Sequence, residues 1–153
     1  MSELTVRPAA IDDIPALTAL SSQLGYPSGE DDVRRRLEDL RLDADSAVFV
    51  AEADGRVVGW IQLSIARMLE SEARAEVRGF VVDEGHRSAG VGARLLARAD
   101  TWAAAKGLAK VRVPCNVTRE RAHSFYLREG FREVKVQRIF ERSTRPRSPV
   151  GRP

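Results

Sequence analysis

Val81-Val82-Asp83-Glu84-Gly85-His86-Arg87-Ser88-Ala89-Gly90-Val91-Gly92-Ala93-Arg94-Leu95-Leu96 is the stretch on which the fold turns. An apolar strand feeds a tight turn, and two glycines stand where the turn becomes a helix. Glycine there lets the backbone come close to an anion, while the unpaired N–H groups of a first helical turn and the positive end of the helix dipole favour phosphate. The element reads as a cradle for a pyrophosphate, although the same residues also suit a helix start with no ligand. A dinucleotide fingerprint starting at Gly90 needs glycine or alanine at position 95, which is Leu95, and a P-loop needs Gly-Lys followed by Ser or Thr, which the chain lacks.

Working outward, Val91, Leu95, Ala99 and Trp102 recur on one helical face, and Gly107 predicts the stop just past Lys106. Residues 110–115 are strand-like, 119–129 helical with Gly130 as the C-terminal glycine, and 131–140 β-rich. On the other side, residues 75–82 form the strand that enters the turn. Ala47-Val48-Phe49-Val50-Ala51-Glu52 and Val57-Val58-Gly59-Trp60-Ile61-Gln62-Leu63 are apolar runs joined by Ala53-Asp54-Gly55-Arg56, where Asp-Gly signals a hairpin. Nearest the N-terminus, Leu4-Thr5-Val6-Arg7 alternates as a strand. Asp12 or Asp13 can then cap a helix with Pro15 in its first turn and Ile14, Leu17, Leu20 and Leu24 at helical spacing, stopped by Gly25. A second amphipathic helix carries Val33, Leu37 and Leu40. The expected order is β-α-α-β-β-β-α-β-α-β, an α/β domain with a mixed (α+β) sheet and no internal repeat.

With 153 residues, 43% apolar and 31% charged, the chain suits one compact domain. It holds no apolar run long enough to span a membrane, and it starts Met1-Ser2-Glu3-Leu4 without the basic and apolar stretches of a secretory signal. A soluble cytoplasmic protein with no membrane partner is expected. Cys115 is the single cysteine and the two histidines, His86 and His123, are far apart, which disfavours a disulfide scaffold and a structural metal. The formal charge of +3 rests on the C-terminus, where residues 142–153 hold Arg142, Arg145, Arg147 and Arg152 and no acid. Without them the chain is one charge to the acidic side of neutral, so the expected division is a domain over 1–141 and a basic Pro/Arg-rich tail over 142–153, disordered for want of core-forming residues. A neutral domain without a basic stripe also argues against a nucleic-acid partner.

Arg87-Ser88-Ala89-Gly90-Val91-Gly92 resembles the Q/R-x-x-G-x-G/A signature of the GCN5-related N-acetyltransferase (GNAT) superfamily. Asn116 followed by Ala122-His123-Ser124-Phe125-Tyr126-Leu127-Arg128-Glu129-Gly130-Phe131 is similar to that superfamily's second landmark, and Leu4-Thr5-Val6-Arg7-Pro8-Ala9 to its opening strand. The resemblance covers almost the whole chain. It departs at Ser88, where many members have glycine; serine still offers a backbone N–H.

The resemblance implies a GNAT-like fold and an acetyl-CoA cosubstrate without a metal. Backbone N–H groups of Arg87, Ser88, Ala89, Gly90, Val91, Gly92 and Ala93 would hold the pyrophosphate, with Arg87 adding charge. Phe80, Val81 and Val82 would pair their backbone with the pantetheine amides, and an N–H near Phe80 would polarise the acetyl carbonyl. Asn116 and Phe125 would complete the cosubstrate site. Pro114 fits a strand that splays from residues 75–82 to admit pantetheine, where a missing donor costs little. Tyr126 would act as general acid, as a phenol that stays protonated at neutral pH, though its spacing with Ala122, Phe125 and Glu129 also describes a buried stripe. Glu76 aligns with the strand glutamate that is the base in histone-type members, set against a salt bridge to Arg78 or Arg74. His123 is more simply a packed or surface residue.

The expectation is direct transfer of acetyl to a primary amine in a ternary complex, by a monomer or homodimer; the alternative is an acetyl-CoA-binding sensor or interaction module with little catalysis. In the superfamily the acceptor pocket is built by the segments spanning 25–45 and 64–75 here, where Glu30, Asp31, Asp32, Glu70 and Glu72 hint at a cationic amine but are nearly balanced by arginines. Composition therefore leaves the acceptor open.

Overall fold

A computed structural model describes residues 3–87 and 89–145. Ser88 and residues 146–153 lie outside the described residues, and with them the predicted Ser88 contact and most of the predicted tail disorder. The chain forms two compact units that divide after Val117.

The first unit is a five-stranded sheet in the order β1 (Leu4–Pro8), β2 (Ser46–Ala53), β3 (Arg56–Ala66), β4 (Arg74–Val82), β5 (Val111–Arg112). The first four strands are antiparallel neighbours and β5 joins β4 in parallel. Asp54 and Gly55 both have positive φ, 51° and 75°, the backbone that a two-residue hairpin turn requires between β2 and β3. α1 (Ile14–Gln23) and α2 (Glu30–Leu42) cover one face of the sheet, where Ala9, Ile14, Leu17, Leu37 and Val50 form a buried cluster with Val33, Val48, Val57 and Trp60 against it. Side chains alternate across a strand, so Gly59, Ile61 and Leu63 point to the opposite face, against α3 (Val91–Ala105) with its buried Val91, Leu95, Ala99 and Trp102.

Helix boundaries follow the local signals. α1 stops where Gly25 donates its N–H to the Ser22 carbonyl and Tyr26 donates to Ser21, and the same two-bond closure recurs at Gly107 after α3. The capping reading needs correction: Asp13 precedes α1, but its carboxylate accepts from the Ala10 N–H at 2.7 Å and from Arg7 at 2.8 and 2.9 Å rather than from α1. Arg7 also holds Glu52 at 2.8 Å, so one guanidinium ties β1, β2 and the entry to α1. The Arg7 bonds hold the Asp13 carboxyl below the usual carboxylate range, against the burial that would raise it.

The second unit contains α4 (Glu120–Arg128), closed by Gly130 N–H to Leu127 and Phe131 N–H to Tyr126. The tenth predicted element is absent: residues 131–140 contain no strand, and Val134, Val136, Ile139 and Phe140 are exposed. Alternation marks a segment that could pair, but a strand exists only where a neighbour supplies its ladder bonds. β5 is likewise two residues long instead of spanning 110–115, which leaves Pro114 outside the ladder.

Candidate active site

The turn after β4 is braced from two sides. Asp83 donates its N–H to the Val58 carbonyl at 2.8 Å, and a 3-10 turn over Glu84–His86 follows. At the end of α1, the Gln23 amide donates to Asp83 Oδ1 at 2.9 Å and accepts from the Glu84 N–H at 3.1 Å, while His86 Nδ1 lies 2.9 Å from Asp83 Oδ2. The Gln23 bond first and the His86 bond second hold the Asp83 carboxyl below its ordinary range. Neither Gln23 nor Asp83 was singled out in the sequence, since their pairing spans 60 residues.

Gly90 stands before α3 with φ 81°, a left-handed conformation that glycine adopts without strain. Val91, Gly92 and Ala93 then form the first turn of α3, and among the described residues no side chain caps that turn. Uncapped first-turn N–H groups at the positive end of a helix fit the phosphate expected there. Arg87 and Ala89 are exposed beside them. The helix can approach this closely because of Gly59 in β3: a Cβ at that position would meet the Val81 carbonyl oxygen at 3.0 Å and the Leu95 and Val91 methyls at 3.2 Å.

β4 carries the second half of the site. Gln62 pairs with Gly79 and Leu63 with Val77, which leaves Arg78 as the extra residue of a β-bulge. β5 meets β4 only at Ala75↔Val111 and Glu76↔Arg112, so residues 77–82, including Phe80, Val81 and Val82, run on without β5 beside them. That departure is the geometry a pantetheine arm lying along a strand edge requires. Asn116 is exposed in the loop beyond β5.

Glu76 is the best-held carboxylate of this region. Its Oε1 accepts from Arg74 at 2.9 Å and its Oε2 pairs with Arg78 at 3.1 Å, with 12% of the side chain exposed. Both predicted salt bridges therefore form at once. Arg78 also donates to Ser64 Oγ at 2.8 Å, and Ser64 is the register partner of Glu76. Ser64, Gln62 and Trp60 alternate on the face covered by α1 and α2, so Glu76 shares that face with them.

A cavity of about 190 Å³ opens on this face, lined by Tyr26, Arg36, Trp60 and Gln62 among others. The edge of the Trp60 ring reaches over β4 where Gly79 has no side chain, since a Cβ there would stand 2.6 Å from two ring carbons. An isolated glycine inside a strand was the available sequence signal for such a close approach. A larger cavity of about 370 Å³ lies toward β1 and β2, between Pro8, Arg41, Phe49 and Arg98, and includes no residue of β4.

Within the second unit, Tyr126 is half-buried between two aromatic rings, Phe125 with centroids 5.4 Å apart and Phe131 at 5.7 Å, both edge-on. Arg128 stacks on Phe125 at 5.6 Å, and His123 is half-buried on the same helix. Among the described residues, no three His, Cys, Asp or Glu side chains group to hold a metal, and no helix is long and apolar enough to cross a membrane.

A mixed sheet whose bulged fourth strand runs past its parallel neighbour toward a helix that starts on glycine is the arrangement that the resemblance to acyl-CoA-dependent acyltransferases implies. Residues 14–131 match the profile of the Acetyltransferase (GNAT) family. The chain is 30% identical over 134 residues to the aminoalkylphosphonate N-acetyltransferase of Salmonella typhimurium, covering 84% of both chains. It is 33% identical over 101 residues to the aminoglycoside N(6')-acetyltransferase type 1 of Klebsiella aerogenes, covering 63% of this chain and 66% of the relative. Among solved structures, the aminoglycoside N-acetyltransferase AAC(6')-Iy in complex with CoA superposes with a TM-score of 0.83 at 22% identity, over 94% of this chain and 96% of that one. The chain belongs to the GNAT family of acetyltransferases and is an acetyl-CoA-dependent N-acetyltransferase.

Proposed function

We propose that the protein transfers acetyl from acetyl-CoA directly to a primary amine within a ternary complex. The observation that carries this reading is the departure of β5 from β4 after Glu76, which leaves residues 77–82 leading straight to the first-turn amides of α3. A pantetheine chain laid along Phe80, Val81 and Val82 would bring its pyrophosphate to the amides of residues 87–93 without turning back. Asn116 and Phe125 are assigned to the same cosubstrate by their motif positions.

The amine arrives as an ammonium and must lose a proton before its nitrogen can bond to the acetyl carbon. Glu76 accepts that proton through water, since at roughly 3.3 Å per residue it stands some 13 Å along β4 from Phe80. As the C–S bond breaks, the departing thiolate takes a proton from the Tyr126 hydroxyl, and the second proton shed by the nitrogen as it becomes an amide passes through water to restore the phenol. The double ion pair of Glu76 favours a second role for this residue, anchoring Arg74 and Arg78 on the acceptor side. An acetyl-CoA cosubstrate supports a cytoplasmic protein, and the reading needs neither nucleic acid nor membrane; it suits a monomer or a homodimer.

Two measurements test it. Acetyl-CoA at a hundred times its dissociation constant should stabilise the fold by about 2.7 kcal/mol, and Gly92→Val, which puts a branched side chain in the first turn of α3, should remove that stabilisation with the fold intact. Thiol release from acetyl-CoA in the presence of amines then separates an enzyme from a binding module. A thermal midpoint indifferent to millimolar acetyl-CoA would refute the reading.

A further inference from the structure

The loop from Asp83 to Ala89 joins β4 to α3, and most of its hydrogen bonds stay inside it. The N–H groups of His86, Arg87 and Ala89 donate to the carbonyls of Asp83, Glu84 and His86. Among the described residues, three bonds tie the loop to the rest of the first unit: the Asp83 N–H to Val58 at 2.8 Å, the Gln23 amide N–H to Asp83 Oδ1 at 2.9 Å, and the Glu84 N–H to Gln23 Oε1 at 3.1 Å. Two of these belong to one side chain. Both ends of the Gln23 amide are engaged, and the partners settle which end is which, because a backbone N–H can only donate and a carboxylate only accept. α1 does not need this clasp for its own seating, since Ile14, Leu17 and Leu20 are buried beneath it while Gln23 is exposed on its last turn. The part that gains from the clasp is the loop.

We propose that Gln23 is a positioning residue for the cosubstrate: reaching from α1, it fixes Asp83 and Glu84 and so presets the loop whose backbone amides receive the pyrophosphate. The proposal rests on the transferase reading above and adds to it a residue that lies outside both motifs of the family resemblance. Ordering one residue of free loop costs about 1–2 kcal/mol, and a ligand that must order its own loop loses that much affinity. With its first two residues pinned, the loop leads to Arg87 and Gly90 from a fixed point. Asp83 is the hub of the arrangement, with one carboxylate oxygen on Gln23 and the other 2.9 Å from His86 Nδ1, across the 3-10 turn that precedes Arg87. The chemistry selects the side chain as well. A glutamate in place of Gln23 would set a second carboxylate against Asp83, and an alanine would leave Asp83 Oδ1 and the Glu84 N–H to water.

The test is acetyl-CoA affinity by isothermal titration calorimetry in the parent, Gln23→Ala, Gln23→Glu and the neighbouring control Ser22→Ala, with each melting temperature measured alongside. At about pH 8 both Gln23 variants should bind acetyl-CoA roughly three- to ten-fold more weakly than the parent, and Ser22→Ala as tightly. Melting temperatures without ligand should stay within about 2 °C of the parent, as for other exposed substitutions. Lowering the pH should then separate the two variants. Two carboxylates at hydrogen-bond distance do not both stay ionised, so one of the pair takes up a proton and its O–H donates to the other as the amide N–H did. At about pH 5, Gln23→Glu should therefore bind at least about two-fold more tightly than Gln23→Ala, although it binds no better at about pH 8. Affinities are compared as ratios to the parent at the same pH, which removes what all the proteins share, including the His86 imidazole and the Arg56 guanidinium that act on Asp83 and the exposed Glu84 carboxylate. Parental affinity in Gln23→Ala, a lowered melting temperature with affinity intact, equal weakening in Ser22→Ala, or Gln23→Glu tracking Gln23→Ala at every pH would overturn the proposal. A parent that does not bind acetyl-CoA at all would instead sink the transferase reading.

Discussion

Gly59→Ala probes how the sheet sets the phosphate turn. The added methyl would stand 3.0 Å from the Val81 carbonyl oxygen, 3.2 Å from Leu95 Cδ1 and 3.2 Å from Val91 Cγ1, each a few tenths of an ångström too close. The carbonyl belongs to β4 and cannot move without disturbing the ladder, while Leu95 and Val91 are 0% and 2% exposed and have no free space behind them. Overpacking of this kind costs about 1–3 kcal/mol. Replacing a strand glycine returns roughly 0.5–1 kcal/mol through the unfolded chain, which leaves a net loss of up to about 2.5 kcal/mol. For a chain of this length that is a fall in Tm of up to roughly 10 °C. The relief must come from α3 retreating, and Val91 is its first residue, so the first-turn amides retreat too and acetyl-CoA binding should weaken by a few-fold. Gly85→Ala is the control, since its Cβ would meet only Asp83 Oδ2 at an ordinary 3.6 Å. Differential scanning fluorimetry with and without acetyl-CoA reads both effects. A Gly59→Ala protein as stable as the parent, or one that is destabilised but binds acetyl-CoA with full affinity, would refute the link between this contact and the turn.

Tyr126→Phe keeps the edge-on packing with Phe125 and Phe131 but removes the acid; turnover should fall by roughly 10² to 10⁴ with acetyl-CoA affinity within a few-fold, and full turnover with chemistry rate-limiting would leave solvent as the proton source. Glu76→Gln should lower the rate most at low pH if Glu76 takes the ammonium proton, whereas a uniform loss across the pH–rate profile would assign it to holding Arg74 and Arg78. Asp13→Asn should cost about 1–3 kcal/mol at neutral pH, discounted because Arg7 is 36% exposed, measured by urea unfolding. The folded Asp13 carboxyl titrates below its unfolded value of about 3.9, so its contribution is complete above that value and is lost as pH falls through the folded one. The stability gap between parent and Asp13→Asn should therefore close only below about pH 4, and a gap constant into that range would contradict the Arg7 pairing.

What the sequence determined by itself was carried by near neighbours along the chain, the cap of α1 excepted, where Asp13 turns to Arg7 instead. The glycines at the start of α3, the Asp54-Gly55 hairpin, the helical stops at Gly25, Gly107 and Gly130 and the period of each apolar face act within a few residues, so their meaning is fixed before any tertiary contact forms. With Gly90, Gly92, Phe125 and Tyr126 in their motifs, that was enough to assign the fold and the cosubstrate.

Tertiary structure alone decided the rest, because those features depend on which distant segments meet. Local alternation could not say that residues 131–140 would stay outside a ladder, that β5 would shrink to two residues, or that Arg78 would be the residue extruded opposite Gln62 and Leu63. Glu76 could be named as a candidate base, but not as a carboxylate with one arginine on each oxygen. Nor could one line of sequence show that the edge of the Trp60 ring sits against Gly79 with its Nε1–H buried, or that Arg36 lines the same cavity from α2. Charge balance along the 25–45 segment left the acceptor open, since acids and arginines nearly cancel there. Folding leaves acids and arginines of α2 exposed alike and brings Arg36 to the rim of the cavity beside Trp60, a placement that composition does not carry.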